Sequence, residues 1–265
     1  MCQGAFFNPH SSMMSVRLFA VATLLFVTAC ATPPPPPPTG GGKHVDASTA
    51  GSVSGRVTFE GTPPAAETLR MGVDKNCVQG AGPNPQSESV LIAPDGGLKN
   101  VFVWVKAGID PAYSFEIPTK PVQLDQKGCI YTPRIIGVRA GQPIEIVNSD
   151  PTAHNVHALP MSNQEFNQGQ PFQGMRMTQT FTVPEVMVRF MCNVHGWMAA
   201  YVGVVPHPFF AITDGSGAFD IKGLPPGTYT VEAWHEKFGR QSIQVTVAEK
   251  QAQTTSFTFK PTSQQ

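Results

Sequence analysis

The sequence predicts an all-β protein built of sandwiches, and three observations predict it. The 265 residues include 25 Gly and 26 Pro, more turn formers and helix breakers than a helical protein tolerates. From Ser52 onward, short alternating or β-branched runs recur between turn signals. No segment longer than ten residues in that part holds a helical period of apolar residues. Apolar residues make up 41% of the chain, enough for a core, and the length suits two small domains. Lys plus Arg and Asp plus Glu both number 18, only 14% of residues are charged, and no basic run clusters. Nucleic-acid binding and charge-driven membrane binding, which need a concentrated positive surface, are excluded as expectations.

The first element is a leader. Leu18 to Ala29 form twelve nearly unbroken apolar positions behind Arg17, too few for the ~20 that a transmembrane helix requires. The core ends in Val27-Thr28-Ala29-Cys30, which resembles the bacterial lipobox. The resemblance implies a signal peptide over 1–29, cleavage before Cys30 and lipidation of Cys30. It also implies a lipoprotein on the periplasmic side of the cell envelope, with Ala31 after the cysteine pointing to the outer membrane of a Gram-negative bacterium. Translation is expected to start at Met13 or Met14, which makes Cys2 irrelevant.

Residues 30–50 read as a tether. Pro33 to Pro38 hold polyproline II at ~3.1 Å per residue, a stiff stalk of roughly 19 Å, and the following glycines let it swivel.

Strands are expected at Val53 to Phe59, Val101 to Lys106, Pro143 to Val147, Thr180 to Val183, Val186 to Met191, Ala200 to Val205, Tyr229 to Ala233 and Gln241 to Val247. Between them lie turn sequences such as Asp95-Gly96-Gly97, Arg139-Ala140-Gly141, Asp214-Gly215-Ser216-Gly217 and Pro225-Pro226-Gly227. A short helix is allowed around Asn163 to Asn167.

The five cysteines are Cys2, Cys30, Cys77, Cys129 and Cys192. With Cys2 and Cys30 assigned to the leader and the anchor, three remain in an oxidising compartment, and an odd number requires one special thiol. Cys192 has a histidine and a methionine close by in sequence, whereas Cys77 and Cys129 do not. The expectation is a Cys77–Cys129 disulfide with Cys192 kept for chemistry.

The stretch from Thr213 to Val231, with its hairpin and Leu224-Pro225-Pro226-Gly227 turn, resembles the carboxypeptidase-regulatory-like, or transthyretin-like, β-sandwich. That family opens with a strand like Ser54 to Phe59, here far upstream. A sandwich split by an inserted domain accounts for the gap, because the termini of inserted domains usually lie close together.

The inserted part runs from Cys129 through Asn148 to His154-Asn155-Val156-His157, then Phe181-Thr182-Val183-Pro184 and Cys192-Asn193-Val194-His195-Gly196-Trp197-Met198. It resembles the cupredoxins over roughly 118–206, and the short Cys-x2-His-x2-Met loop is most like that of the amicyanins. Val194 and Gly196 depart from that pattern, which has prolines there. The fold class expected is therefore a cupredoxin Greek-key β-sandwich plus a second, smaller Ig/transthyretin-like β-sandwich. The expected domains are 51–117 and 207–262 for the split sandwich and 118–206 for the copper domain.

Copper that alternates between Cu(I) and Cu(II) suits a thiolate, two imidazoles and a weak thioether. The resemblance assigns one type 1 copper site to His154, Cys192, His195 and Met198, with Asn155 bracing the cysteine loop. His154 and His157 stand three apart, so on a strand they face opposite sides and only one reaches the site. Zinc is disfavoured because a thioether is a poor ligand for it. A cysteine nucleophile made of Cys192 and His195 lacks any orienting motif in the sequence. Six of the seven methionines beyond the leader fall between Met161 and Met198. Met187 and Met191 read as core, whereas Met161, Met175 and Met177 offer soft sulfur for Cu(I) handling. His207 and His235 read as structural.

The function expected is a non-enzymatic electron carrier for redox proteins of the envelope, with His195 as its solvent-edge ligand and Gly196, Trp197 and Ala199 as a docking rim. Copper trafficking or storage is the alternative, and a copper enzyme the less favoured one.

Overall fold

The computed structural model describes residues 42–72 and 74–261; the leader, Cys30 and the proline stalk lie outside them. In chain order the elements are β1 (Gly51–Phe59), α1 (Lys75–Ala81), β2 (Phe102–Ala107), β3 (Val122–Lys127), β4 (Ile130–Thr132), β5 (Ile135–Arg139), β6 (Pro143–Asn148), β7 (His154–Leu159) and β8 (Phe166–Gln170). They continue with β9 (Arg176–Thr180), β10 (Glu185–Met191), β11 (Ala199–Val205), β12 (Phe210–Ile212), β13 (Ala218–Leu224), β14 (Gly227–His235), β15 (Gly239–Val247) and β16 (Ala252–Phe259). Among the described residues the protein is all-β apart from α1, as the turn-rich sequence predicts.

The strands sort into two sandwiches. In one, the sheet β13-β1-β16 faces the sheet β12-β2-β14-β15, and Val53, Val57, Phe219, Ile221, Tyr229, Val231, Phe257 and Phe259 fill the space between. Only alternate residues along these strands point inward, which matches their period-2 patterning. β1 runs antiparallel to β13 and parallel to β16, so the strand at 51–59 completes a sheet whose other members lie beyond 217. The second sandwich comes wholly from the intervening chain. Its sheets are β5-β11-β10-β7-β8 and β4-β3-β6-β9, packed over Leu124, Ile144, Ile146, Val156, Phe181, Val188, Phe190 and Val202.

A glycine pair joins the two sandwiches. Gly203 of β11 sits directly opposite Gly137 of β5 in the parallel ladder. The bare patch they leave receives Phe102 and Phe210, whose rings stack with centroids 5.5 Å apart. A Cβ on Gly203 would lie 2.5 Å from the Phe102 ring, and one on Gly137 2.2 Å from Phe210, so neither position takes a side chain without displacing a ring. Beside this patch Arg134 forms a largely buried ion pair with Glu236 across the same junction.

Two local expectations fail, for one shared reason. The strand expected at Thr180 to Val183 lies earlier, at Arg176–Thr180. Val183 donates its N–H to Asn163 Oδ1 (3.0 Å) and accepts from Asn163 Nδ2 (2.8 Å), so the carboxamide takes both backbone groups a ladder would need. Nor do Asn163 to Asn167 form a helix. The amides of Ser162 and Asn163 point to the Glu185 carboxylate, and β8 has begun by Phe166. The short helix found instead, α1, went unseen because its seven residues show no apolar period; Asp74 caps it by accepting from the amides of Asn76 and Cys77.

Candidate metal centre

Three strand ends and one loop build the site. β6 ends at Asn148, and the turn that follows delivers His154 as the first residue of β7, side chain inward. Asp150 in that turn folds back on itself: Oδ2 lies 2.9 Å from His154 Nε2 and accepts the Cys129 amide at 2.8 Å, while Oδ1 accepts the Gly128 amide at 2.7 Å. The same carboxylate thus fixes the β3–β4 turn, where Cys129 adopts a positive φ of 54°, and aims the His154 ring.

Cys192 follows β10 and is fully buried. Asn155 contacts it and the loop that follows. Its backbone N–H reaches Cys192 Sγ (3.5 Å), and its Oδ1 accepts the amides of Asn193 (2.6 Å) and Val194 (3.3 Å). Its Nδ2 donates to Asn167 Oδ1 on β8 (2.6 Å), tying the brace to the sheet. The loop closes where the Met198 amide donates to the His195 carbonyl (2.9 Å). Met198 is buried in the same apolar cluster as Cys192.

His154 Nδ1 and His195 Nδ1 lie 2.9 Å apart, and Cys192 Sγ stands 4.0 Å from the first and 3.9 Å from the second. Two atoms each about 2.0–2.3 Å from a common centre at trigonal angles would be about 3.5–4 Å apart, so the two sulfur–nitrogen distances suit ligands of one ion, while the nitrogen pair is closer and would subtend an angle of about 90° there. Both histidines turn their Nε2 outward to a carboxylate: His154 to Asp150, and His195 to Asp74 Oδ2 at 3.4 Å. A carboxylate at each Nε2 favours the proton there and leaves both Nδ1 lone pairs facing each other and the sulfur. Three buried electron-pair donors crowded in this way call for a shared cation, and two imidazoles with a thiolate form a donor set that copper accepts.

Without a metal, a proton on His154 takes the cation's place. Burial opposes charge on Cys192, yet the His154 ring and the N–H groups of Asn155, His195 and Val194 hold its thiol below the ordinary value. Burial likewise opposes a charged His154, but Asp150 and the Cys192 sulfur outweigh it and push His154 up to about 9. For His195, burial and the neighbouring His154 charge prevail over Asp74, and its imidazole is held down in the neutral form.

The expectation that His195 is the solvent-edge ligand is not met: the residue is 2% exposed. Its outer edge is covered by α1, whose Cys77 Sγ lies 3.5 Å from His195 Nε2. Cys77 is disulfide-bonded to Cys129 at a sequence separation of 52, and Cys192 is the free thiol among the described residues. Asp74 also accepts the Thr152 hydroxyl (2.7 Å), and Asn76 donates to the Pro151 carbonyl (3.1 Å), so α1 is pinned to the turn that carries Asp150.

The other candidates lie elsewhere. His157 faces away from His154, between Glu165 (2.7 Å) and Asn193 (3.2 Å). His207 bonds the Val105 carbonyl, and His235 accepts the Lys237 amide and stacks on Phe238. Met161 is 92% exposed, whereas Met177 is in the core. Sequence reasoning missed Asp74, Asp150 and the cover. An Asp four residues before a candidate ligand and an Asp heading a cysteine-bearing helix were the available signals.

Among solved structures, the chain is similar to a copper-containing nitrite reductase from Thermus scotoductus SA-01, at 20% identity and a TM-score of 0.31, over 35% of this chain and 24% of that one. It therefore spans about a quarter of that enzyme's length. It is also similar to a purple cupredoxin from Nitrosopumilus maritimus (19%, TM-score 0.28, 32% of this chain and 99% of that). An amicyanin P96G variant gives 18%, 0.30, 39% and 98% in the same order. Scores of this size leave the assignment of the site to its residues. No curated protein sequence matches. Residues 200–260 match the family model of the carboxypeptidase regulatory-like domain, so the chain carries that domain at its C-terminal end, beginning within β11.

Proposed function

We propose that this chain is a copper electron carrier with one type 1 site, held by His154, Cys192 and His195, with Met198 as the weak fourth ligand. The observation that carries the reading is the buried convergence of the two Nδ1 atoms and one Sγ, each imidazole backed by a carboxylate. Copper bound there would supply one-electron exchange. The chain's own residues hold the thiolate and both rings in place and keep water out. Asp150, Asp74 and Asn155, on three separate segments, orient the donors, and such a preset cage needs little movement when charge changes.

The remaining parts of the proposal rest on sequence. Cys30 would carry the lipid, the proline stalk would let the domain swing at the periplasmic face of the envelope, and the partners would be redox proteins there.

Asp150, His154 and Cys192 also stand in the order of a nucleophile triad, which supplies the orienting carboxylate that the sequence lacked. Against that reading, Cys192 is fully buried and a second imidazole fills the space beside its sulfur. Copper trafficking would draw on the methionines, but Met161 and Met177 occupy opposite environments, solvent and core.

The test separates carrier from trafficking protein. Met198→Leu should keep the colour of the oxidised copper form and raise its reduction potential by tens of millivolts, about 59 mV being tenfold in the equilibrium constant of a one-electron couple. Met175→Leu and Met177→Leu should leave the potential alone. If Met198→Leu changes nothing while the other two strongly weaken Cu(I) binding, copper delivery is the better account.

A further inference from the structure

A cover over the histidine edge leaves the site one aromatic exit. The Nε2 side of His195 is walled by Cys77 Sγ (3.5 Å) and Asp74 (3.4 Å), and its Nδ1 side faces the other two donors. The remaining neighbour is Trp197, whose ring centroid lies 5.1 Å from that of His195 at a tilt of 41°. Trp197 is half-buried and does not swing freely, because its Nε1–H donates to the Cys129 carbonyl at 2.9 Å. That bond pins the indole to the turn already fixed by Asp150 and the disulfide. Away from His195, the indole borders a surface groove of about 680 Å³ formed with Gly196 and the segment Glu67 to Arg70. Gly196 is exposed, and a Cβ there would meet nothing within 4 Å, so the groove is open beside the indole at that position.

Resting on the copper-carrier reading, we infer that Trp197 is the electronic link between His195 and the surface, and that a one-electron partner exchanges its electron across the indole edge at this groove. Coupling between redox groups falls steeply with the width of empty space, so an electron follows the ring that touches the ligand. One electron leaves the copper and one acceptor is reduced by one electron; Trp197 is neither oxidised nor reduced and no bond changes. The α1 cover explains why the route must differ from direct transfer at the imidazole edge. A competing route passes through the Cys77–Cys129 sulfurs, the first of which also touches His195.

The experiment uses the full copper-loaded chain and hexacyanoferrate(III) as a one-electron oxidant of the reduced form. Trp197→Phe, Trp197→Ala and the double variant Cys77→Ala/Cys129→Ala are compared by oxidation rate, visible spectrum and reduction potential. We expect Trp197→Ala to slow oxidation at least tenfold, and Trp197→Phe to slow it less, with spectrum and potential unchanged. A second reading uses fluorescence: the emission lost in Trp197→Phe, present in copper-free protein, should vanish from the parent on copper loading. Unchanged rates at an unchanged spectrum, emission that ignores the metal, or slowing only in the double cysteine variant would overturn the assignment to Trp197. Loss of the copper absorption in the parent itself would overturn the carrier reading, a failure visible before any rate is measured.

Discussion

His195 and Cys77 touch: the outer ring nitrogen of the one is 3.5 Å from the sulfur of the other, across 118 residues of sequence. The contact makes the disulfide part of the metal site's wall. The Cys192 loop therefore lies beneath a lid anchored at Cys129, on the turn that also receives Asp150 and Trp197.

Removing that anchor should cost stability and expose the thiol. A disulfide that closes a loop of 52 residues contributes up to about 4 kcal/mol by chain entropy. The pair Cys77→Ala/Cys129→Ala should lower the denaturant midpoint accordingly. In native, metal-free parent protein the single alkylatable cysteine of the described residues should be Cys192, reacting slowly, and in the double variant it should react fast. Mass analysis under non-reducing conditions checks both, and labelling of Cys77 or Cys129 in the parent would contradict the pairing.

Asp150→Asn tests the orienting carboxylate. The amide keeps one oxygen for the turn but loses the charge behind His154 Nε2 and one of the two acceptors for Gly128 and Cys129. Loss of such a partner typically weakens metal binding by about 10- to 100-fold. Competition titration with a copper chelator should find a loss in that range with Cys192 still bound. An unchanged affinity would mean that the turn, and not the carboxylate, sets the ring.

His235 gives a pH dependence away from the metal site. The residue is 1% exposed, and burial, aided by the charges of Arg134 and Lys237, pushes its pKa down to about 4. A depressed histidine is neutral when folded and protonates first when unfolded, at about 6.5. Its contribution is constant above that value and is lost as pH falls from about 6.5 towards 4, by roughly 3 kcal/mol at most. Melting temperatures of the parent should fall through this window, and His235→Phe should flatten the slope. A parallel decline in both would assign the acid sensitivity to other groups.

The candidate ligands could be named from the sequence because their patterns are short-range: Cys-x2-His-x2-Met lies on one loop, and His154-Asn155 occupies one strand end. Strand identity was legible where one face of each strand is buried, as in β1 and β14. The failures all depend on contacts between distant segments. The Asn163 side chain stops the strand expected at 180–183 from a loop 20 residues away. Likewise α1 buries His195 from a segment upstream of β2, Cys77 lying 118 positions before His195, and nothing near His195 in sequence announces it. The role of Gly137 and Gly203 depends on the ladder that sets them opposite each other beneath Phe210 and Phe102, which no local pattern announces.

The central claim is that Cys192 sulfur, His154 Nδ1 and His195 Nδ1 bind one copper ion together. The visible absorption spectrum of the copper-loaded, oxidised protein tests it most directly. The account predicts one copper per chain and an intense thiolate-to-copper band towards the red end of the spectrum, absent in Cys192→Ser. A protein that binds copper tightly yet stays colourless, or a Cys192→Ser variant that keeps the band, would contradict it.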